Sequence, residues 1–121
     1  MLDDLKVIHE RDAQDALGVV EKQWKQLQYD FGIDLKPDSE MNNVVLGGMG
    51  GSALAASLLV SWPGLNVPFE IVRSYTLPDY VDENTLFIAS SYSGNTEETL
   101  ATLKEAEARN CQIVVVAAGG A

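Results

Sequence analysis

Apolar residues recur along this chain with two different periods. In residues 12–31, Ala13, Leu17, Val20, Trp24, Leu27 and Phe31 lie three and four apart, which predicts one stripe of an amphipathic helix. Asp15, Glu21, Lys22 and Lys25 fall off the stripe, and Gly32 is placed to end it. Gly18 inside the stripe costs about 1 kcal/mol relative to alanine, which packing of the stripe against a sheet or a second subunit is expected to outweigh. Residues 33–42 are polar, contain Pro37 and read as a connection. Beyond them the pattern changes to short apolar runs at 44–46, 68–73, 85–89 and 112–117, each the length of a strand. The stretch 53–59 is apolar nearly all round, as expected of a helix covered by other elements, and Trp62-Pro63-Gly64 ends it. A further helix is predicted after Thr96. Strands alternating with helices imply parallel pairing with right-handed crossovers, hence an α/β fold, a three-layer α/β/α sandwich. Residues 1–40 are read as an N-terminal helix and connection, and 41–121 as the sandwich. The apolar run 113–116, followed by Gly119-Gly120, predicts a buried strand entering another turn, so the sheet is expected to be incomplete at its C-terminal edge and the chain to be a fragment.

Two strand-to-helix turns carry the candidate chemistry. The first, Gly47-Gly48-Met49-Gly50-Gly51-Ser52, lets the backbone approach a ligand closely, and the unpaired amides at the start of a helix point at whatever binds there. Gly48-Met49-Gly50-Gly51-Ser52-Ala53 also fits G-x-G-x-x-A, a dinucleotide fingerprint, but the second strand ends at Arg73 with Glu70 inside it, where an NAD site needs an acidic end. The bland alternative is that these glycines only allow tight packing of strand on helix. The second turn, Ser90-Ser91-Tyr92-Ser93-Gly94-Asn95-Thr96, sets the hydroxyls of Ser91, Ser93 and Thr96 within six residues at the head of a helix. Each can donate to a phosphate oxygen, and amides of Gly94 and Asn95 add further donors. Asn95 with Glu98 three residues on also reads as a capping box. Glu97 and Glu98 would repel a phosphate unless they point outward. Two such turns imply one shared ligand, with Gly50, Gly51, Ser52, Ser91, Ser93 and Thr96 as its candidate contacts.

Composition narrows the partners. Eighteen acidic against eight basic residues give a net charge of -10 over 121 residues, which disfavours nucleic-acid and anionic-membrane surfaces. Cys111 is the single cysteine. It predicts no internal disulfide, a small buried residue at a strand entrance and a cytoplasmic location. The N-terminus lacks the features of a signal peptide, and no apolar run approaches the ~20 residues of a membrane span. His9 has no partner by spacing, no serine can be given a His and an Asp, and no metal-ligand spacing occurs.

Gly48-Met49-Gly50-Gly51-Ser52 together with Ser90-Ser91-Tyr92-Ser93-Gly94-Asn95-Thr96-Glu97-Glu98-Thr99 resembles the sugar isomerase (SIS) domain superfamily, which has a flavodoxin-like α/β sandwich. Within it the likeness is to the bifunctional phosphoglucose/phosphomannose isomerase family, and Arg73-Ser74-Tyr75-Thr76-Leu77-Pro78 extends it over nearly the whole chain. The resemblance implies that Gly51 and Ser52, beside Gly50, contact the sugar or its phosphate ester while Ser91, Ser93 and Thr96 grip the phosphate. It implies a phosphorylated hexose as ligand (fructose, glucose or mannose 6-phosphate), no cofactor, and a homo-oligomer, a dimer. Aldose–ketose isomerisation needs a base at the carbon acid, an acid/base for ring opening and a cation beside the enediolate. In that family these are a glutamate, a histidine and an arginine beyond the first half of the protein. Nothing in this chain matches them, so binding without turnover is expected. A non-catalytic sugar-phosphate-sensing module and an NADP-binding Rossmann-type domain are the alternatives.

Overall fold

The computed structural model describes residues 4–30, 32 and 40–120. It contains two compact units, Met1–Leu35 and Lys36–Ala121.

The first unit is helical. α1 (Leu5–Arg11) starts where the Asp4 carboxylate accepts from the amides of Lys6 and Val7, the capping role that a short acidic side chain fills best. α2 (Ala16–Lys22) starts four residues later than the stripe predicts, because the Asp12 carboxylate takes the amides of Ala16 (2.8 Å) and Leu17 (2.9 Å). Those two hydrogen bonds hold the Asp12 carboxyl below the usual carboxylate range. Asp15 sits between in the left-handed region, at φ 52°. The single long helix expected over 12–31 is not formed. After Lys22 the chain tightens into a 3₁₀ helix, Gln23–Gln28, and Phe31 lies outside the described residues. The physical reason is burial: among the described residues of this unit nothing covers Leu17, Val20, Trp24 and Leu27, Leu27 being 91 % exposed, and helices of this length depend on packing for their stability.

The second unit is a four-stranded parallel sheet in the order β2-β1-β3-β4, built from β1 (Asn43–Gly48), β2 (Phe69–Val72), β3 (Thr85–Ser91) and β4 (Gln112–Ala117). α3 (Leu54–Val60) connects β1 to β2, and α4 (Glu97–Ala108) connects β3 to β4. Side chains alternate across the sheet. On one face Val45, Phe87, Ala89 and Val72 pack with Leu77, Val81 and the α4 residue Ala106. On the other, Leu46 packs with Ala53 and Ala56, joined by Phe69, Ile71 and Ile88. The result is a three-layer α/β/α sandwich. Among the described residues no helix is long and apolar enough to cross a membrane.

One expectation about coverage is corrected. α3 is not enclosed: only its small Ala56, with Ala53 just before it, is buried, while Leu54 and Leu58 are 65 % and 76 % exposed. Its apolar composition fitted a covered helix, and burial is decided by what packs alongside. β4 has the expected bounds and is an edge strand with Val115 and Val116 exposed, in keeping with a sheet incomplete at that edge. Cys111 is half-buried at the entrance to β4, where its thiol donates to the Asp82 carbonyl oxygen and burial pushes its pKa up.

The connection from β2 to β3 is fastened to the C-terminal half of α4. Leu77 donates its amide to the Glu105 carboxylate (2.7 Å), and Arg109 donates to the carbonyl oxygens of Pro78 (2.6 Å) and Val81 (3.2 Å) while pairing with Glu105. The Leu77 amide first, and then Arg109, hold the Glu105 carboxyl below its ordinary 4.5. A carboxyl depressed by folding contributes stability above its unfolded pKa, and that contribution is lost as pH falls through the folded pKa. Glu105→Gln should therefore lower the thermal midpoint at pH 7, and the gap from the unsubstituted protein should close as the pH is taken below 4.5. A gap that stays constant with pH would show that charge is not what fastens the connection.

Candidate functional site

β1 and β3 are neighbours in register, Gly48 opposite Ser90, so the turns that follow them emerge side by side at the carboxyl edge of the sheet. This edge is where parallel α/β sheets bind ligands. After Met49 the chain turns through Gly50, at φ +51°, into a 3₁₀ turn, Gly50–Ala53, that leads into α3. The turn is stitched to its neighbour by two hydrogen bonds. The Ser90 hydroxyl donates to the Ser52 carbonyl oxygen (2.9 Å), and the Tyr92 amide donates to the Ser52 hydroxyl (3.2 Å).

The glycines divide into two kinds. A Cβ at Gly47 would stand 2.7 Å from the Phe87 ring, and one at Gly48 would stand 2.9 Å from the Ser90 carbonyl oxygen; at Gly50 and Gly51 it would meet nothing within 4 Å. Tight packing therefore accounts for the first pair alone. Gly50 and Gly51 border open space, as a ligand's approach requires.

In the second turn Ser91 is buried, with its hydroxyl oxygen 2.9 Å from that of Thr96 and accepting from the Gly94 amide (3.1 Å). The Ser93 hydroxyl accepts from the Asn95 amide (3.2 Å). The N-cap of α4 is Thr96, not Asn95, and its side chain makes no capping bond. The expected capping box is thus not formed, because the Asn95 side chain turns back to the Ser93 carbonyl (3.3 Å) and the Thr96 hydroxyl is engaged by Ser91. This leaves the first turn of α4 without a side-chain cap and with serine and threonine hydroxyls beside it. Such a set of uncharged donors suits an anion.

A third turn joins them. At the end of β4 the Ala118 amide donates to the Tyr92 carbonyl oxygen (3.1 Å), and the backbone of Gly119 and Gly120 lies against Gly94. Two cavities flank this junction. One of about 560 Å³ is lined by Gly51, Ser52, Ser90, Tyr92 and residues 116–118. On the opposite face of β3 and β4 a smaller one, about 170 Å³, includes Ser91, Gly94 and the buried Thr99, whose hydroxyl has no partner.

Of the residues expected from sequence, Gly51 and Ser52 line the larger cavity and Ser91 the smaller, while Gly50, Ser93 and Thr96 line neither. Thr96 is nevertheless joined to Ser91 by the hydrogen bond above. Ser90 and Tyr92 were not among the candidates, although strand alternation carries a signal for them: they point to the face opposite Ser91. Residues 116–118 carry no local signal of this kind. Arg73, at the end of β2, donates to the Ser57 hydroxyl (3.0 Å), and Glu70 accepts from Tyr80, whose phenol is pushed up to about 12 by burial and by that carboxylate. Among the described residues no group of three His, Cys, Asp or Glu side chains is placed to hold a metal.

Comparison with known proteins gives a consistent picture. The family model described as SIS domain matches residues 39–120. The chain is 40 % identical over 100 residues to a bifunctional phosphoglucose/phosphomannose isomerase of Caldicellulosiruptor bescii, covering 78 % of this chain and 30 % of the relative. It is 36 % identical over 111 residues to the protein of the same name from Aquifex aeolicus, covering 88 % and 34 %. It is also 34 % identical over 103 residues to a D-glucosamine-6-phosphate 4-epimerase of Sulfolobus acidocaldarius, covering 84 % and 33 %. The chain thus spans about a third of the length of these relatives. No solved structure matches it significantly.

Proposed function

The chain belongs to the SIS domain family, and from that premise we propose that it is the phosphosugar-binding part of an aldose–ketose isomerase acting between glucose or mannose 6-phosphate and fructose 6-phosphate. The observation that carries this reading is the junction of an open glycine turn with a hydroxyl-lined turn at an uncapped helix start, stitched through Ser52. The phosphate is held by Ser91, Ser93 and Thr96 with the first amides of α4, and the sugar extends toward Gly51 and Ser52. Three of the similar proteins carry names that denote enzymes of phosphorylated hexoses, which supports the same ligand class. The role assigned to these residues is binding: hydroxyls and amides hold an anion, and no residue of this chain is given the part of base, ring-opening acid or enediolate partner.

A dinucleotide reading is weaker on the structure's own terms. Glu70 lies inside β2 and is occupied by Tyr80, and Arg73 is turned to Ser57. The test is calorimetric titration with fructose 6-phosphate, glucose 6-phosphate, fructose and NADPH. Both sugar phosphates are expected to bind, and fructose and NADPH are not. NADPH binding with no response to either sugar phosphate would overturn the proposal.

A further inference from the structure

The connection after β2 carries Arg73-Ser74-Tyr75-Thr76-Leu77-Pro78, which lines neither cavity at the carboxyl edge. Its far end is fixed by Glu105 and Arg109, as described above. Just before that anchor the Ser74 hydroxyl donates to the Thr76 carbonyl oxygen (2.9 Å), closing a tight bend with Tyr75 at its tip. The bend delivers the Tyr75 hydroxyl to the Glu97 carboxylate, 3.4 Å away. The charge of Glu98 first, and of Glu97 with it, raises the Tyr75 pKa. A phenol so placed stays protonated, and it remains a donor.

Glu97 and Glu98 open α4, immediately after Thr96. Carboxylates in a first turn are attracted by the same free amides and the same dipole end that would attract a phosphate. They are therefore competitors built into the turn, for donors that no side chain of the N-cap occupies. We propose that Tyr75 is a positioning residue, whose hydroxyl holds the Glu97 carboxylate toward the β2–β3 connection and away from Ser93 and Thr96, leaving those donors to an incoming sugar phosphate. This rests on the phosphate site proposed above. It gives the tyrosine of this motif a role that acts on the ligand through charge alone.

The experiment measures fructose 6-phosphate affinity by calorimetry at low and high salt. Tyr75→Phe is expected to weaken binding roughly three- to tenfold at low ionic strength, the effect of one or two unscreened charges near the ligand, and the loss should shrink as salt screens them. Adding Glu97→Gln and Glu98→Gln to Tyr75→Phe should restore the affinity. The same two glutamines with Tyr75 intact should bind at least as tightly as the unsubstituted protein. Unchanged affinity in Tyr75→Phe, a loss that the glutamines do not repair, or weaker binding in the glutamine pair would each overturn the role. Ser93→Ala/Thr96→Ala, measured alongside, separates the two readings. If it binds normally the phosphate site is wrong and the positioning role falls with it. If it loses affinity while Tyr75→Phe does not, only the positioning role is wrong.

Discussion

Gly94→Ala is expected to destabilise the protein by roughly 2–5 kcal/mol, from left-handed backbone strain combined with overpacking. Gly94 has φ +71°, and a Cβ there would stand 1.9 Å from the Gly119 carbonyl oxygen and 2.8 Å from the Gly120 Cα. The three nearest atoms it would meet are all backbone, so no rotamer change can relieve the clash. Relief requires separating the turn after β3 from the turn after β4, which would also strain the hydrogen bond from the Ala118 amide to Tyr92. Loss of stability should therefore be accompanied by loss of sugar-phosphate binding. Urea denaturation gives the first and calorimetry the second. Gly51→Ala is the control, since its Cβ would meet nothing within 4 Å, and it should stay within about 0.5 kcal/mol. A Gly94→Ala protein as stable as this control would show that the two turns do not touch in solution.

Ser93→Ala/Thr96→Ala should lower fructose 6-phosphate affinity by at least about a hundredfold. Each hydroxyl donated to a charged oxygen is worth roughly 1.5–3 kcal/mol, and every 1.4 kcal/mol is tenfold. The fold should survive, because Ser93 is exposed and the buried Ser91 hydroxyl, on losing Thr96, still accepts from the Gly94 amide. Gly51→Val should reach a similar end by another route. Its side chain would project into the approach beside Ser52 without disturbing the protein, since the position is open. Circular dichroism and thermal midpoint are expected to match the unsubstituted protein in both variants. Unchanged affinity in the double variant, with unchanged dichroism, would place the anion elsewhere.

The elements of the second unit were legible because their signals are local. Val44, Val45 and Leu46 fall in β1, 85–89 in β3, and β4 runs over Gln112–Ala117 as its apolar run predicts. Parallel pairing followed from alternation with helices, since such strands need crossovers. The glycine and hydroxyl turns were legible for the same reason, as unusual residue types lying between apolar runs. The first unit was less so. The stripe from Leu17 to Leu27 has helical spacing, yet helix propensity and spacing are weak without a surface to bury against, and the Asp12 carboxylate sets the start of α2 instead.

By itself, then, the sequence determined the strand and turn positions, the parallel α/β class and the family likeness, all of which are written within short windows of chain. Tertiary structure alone decided that Ser90 and Tyr92 share a cavity with residues 116–118, that Gly94 must admit Gly119, and that Tyr75 reaches Glu97. Each of these joins residues 22 to 28 positions apart. Strand register and the packing of separate turns bring such residues together, and no local window of sequence records either.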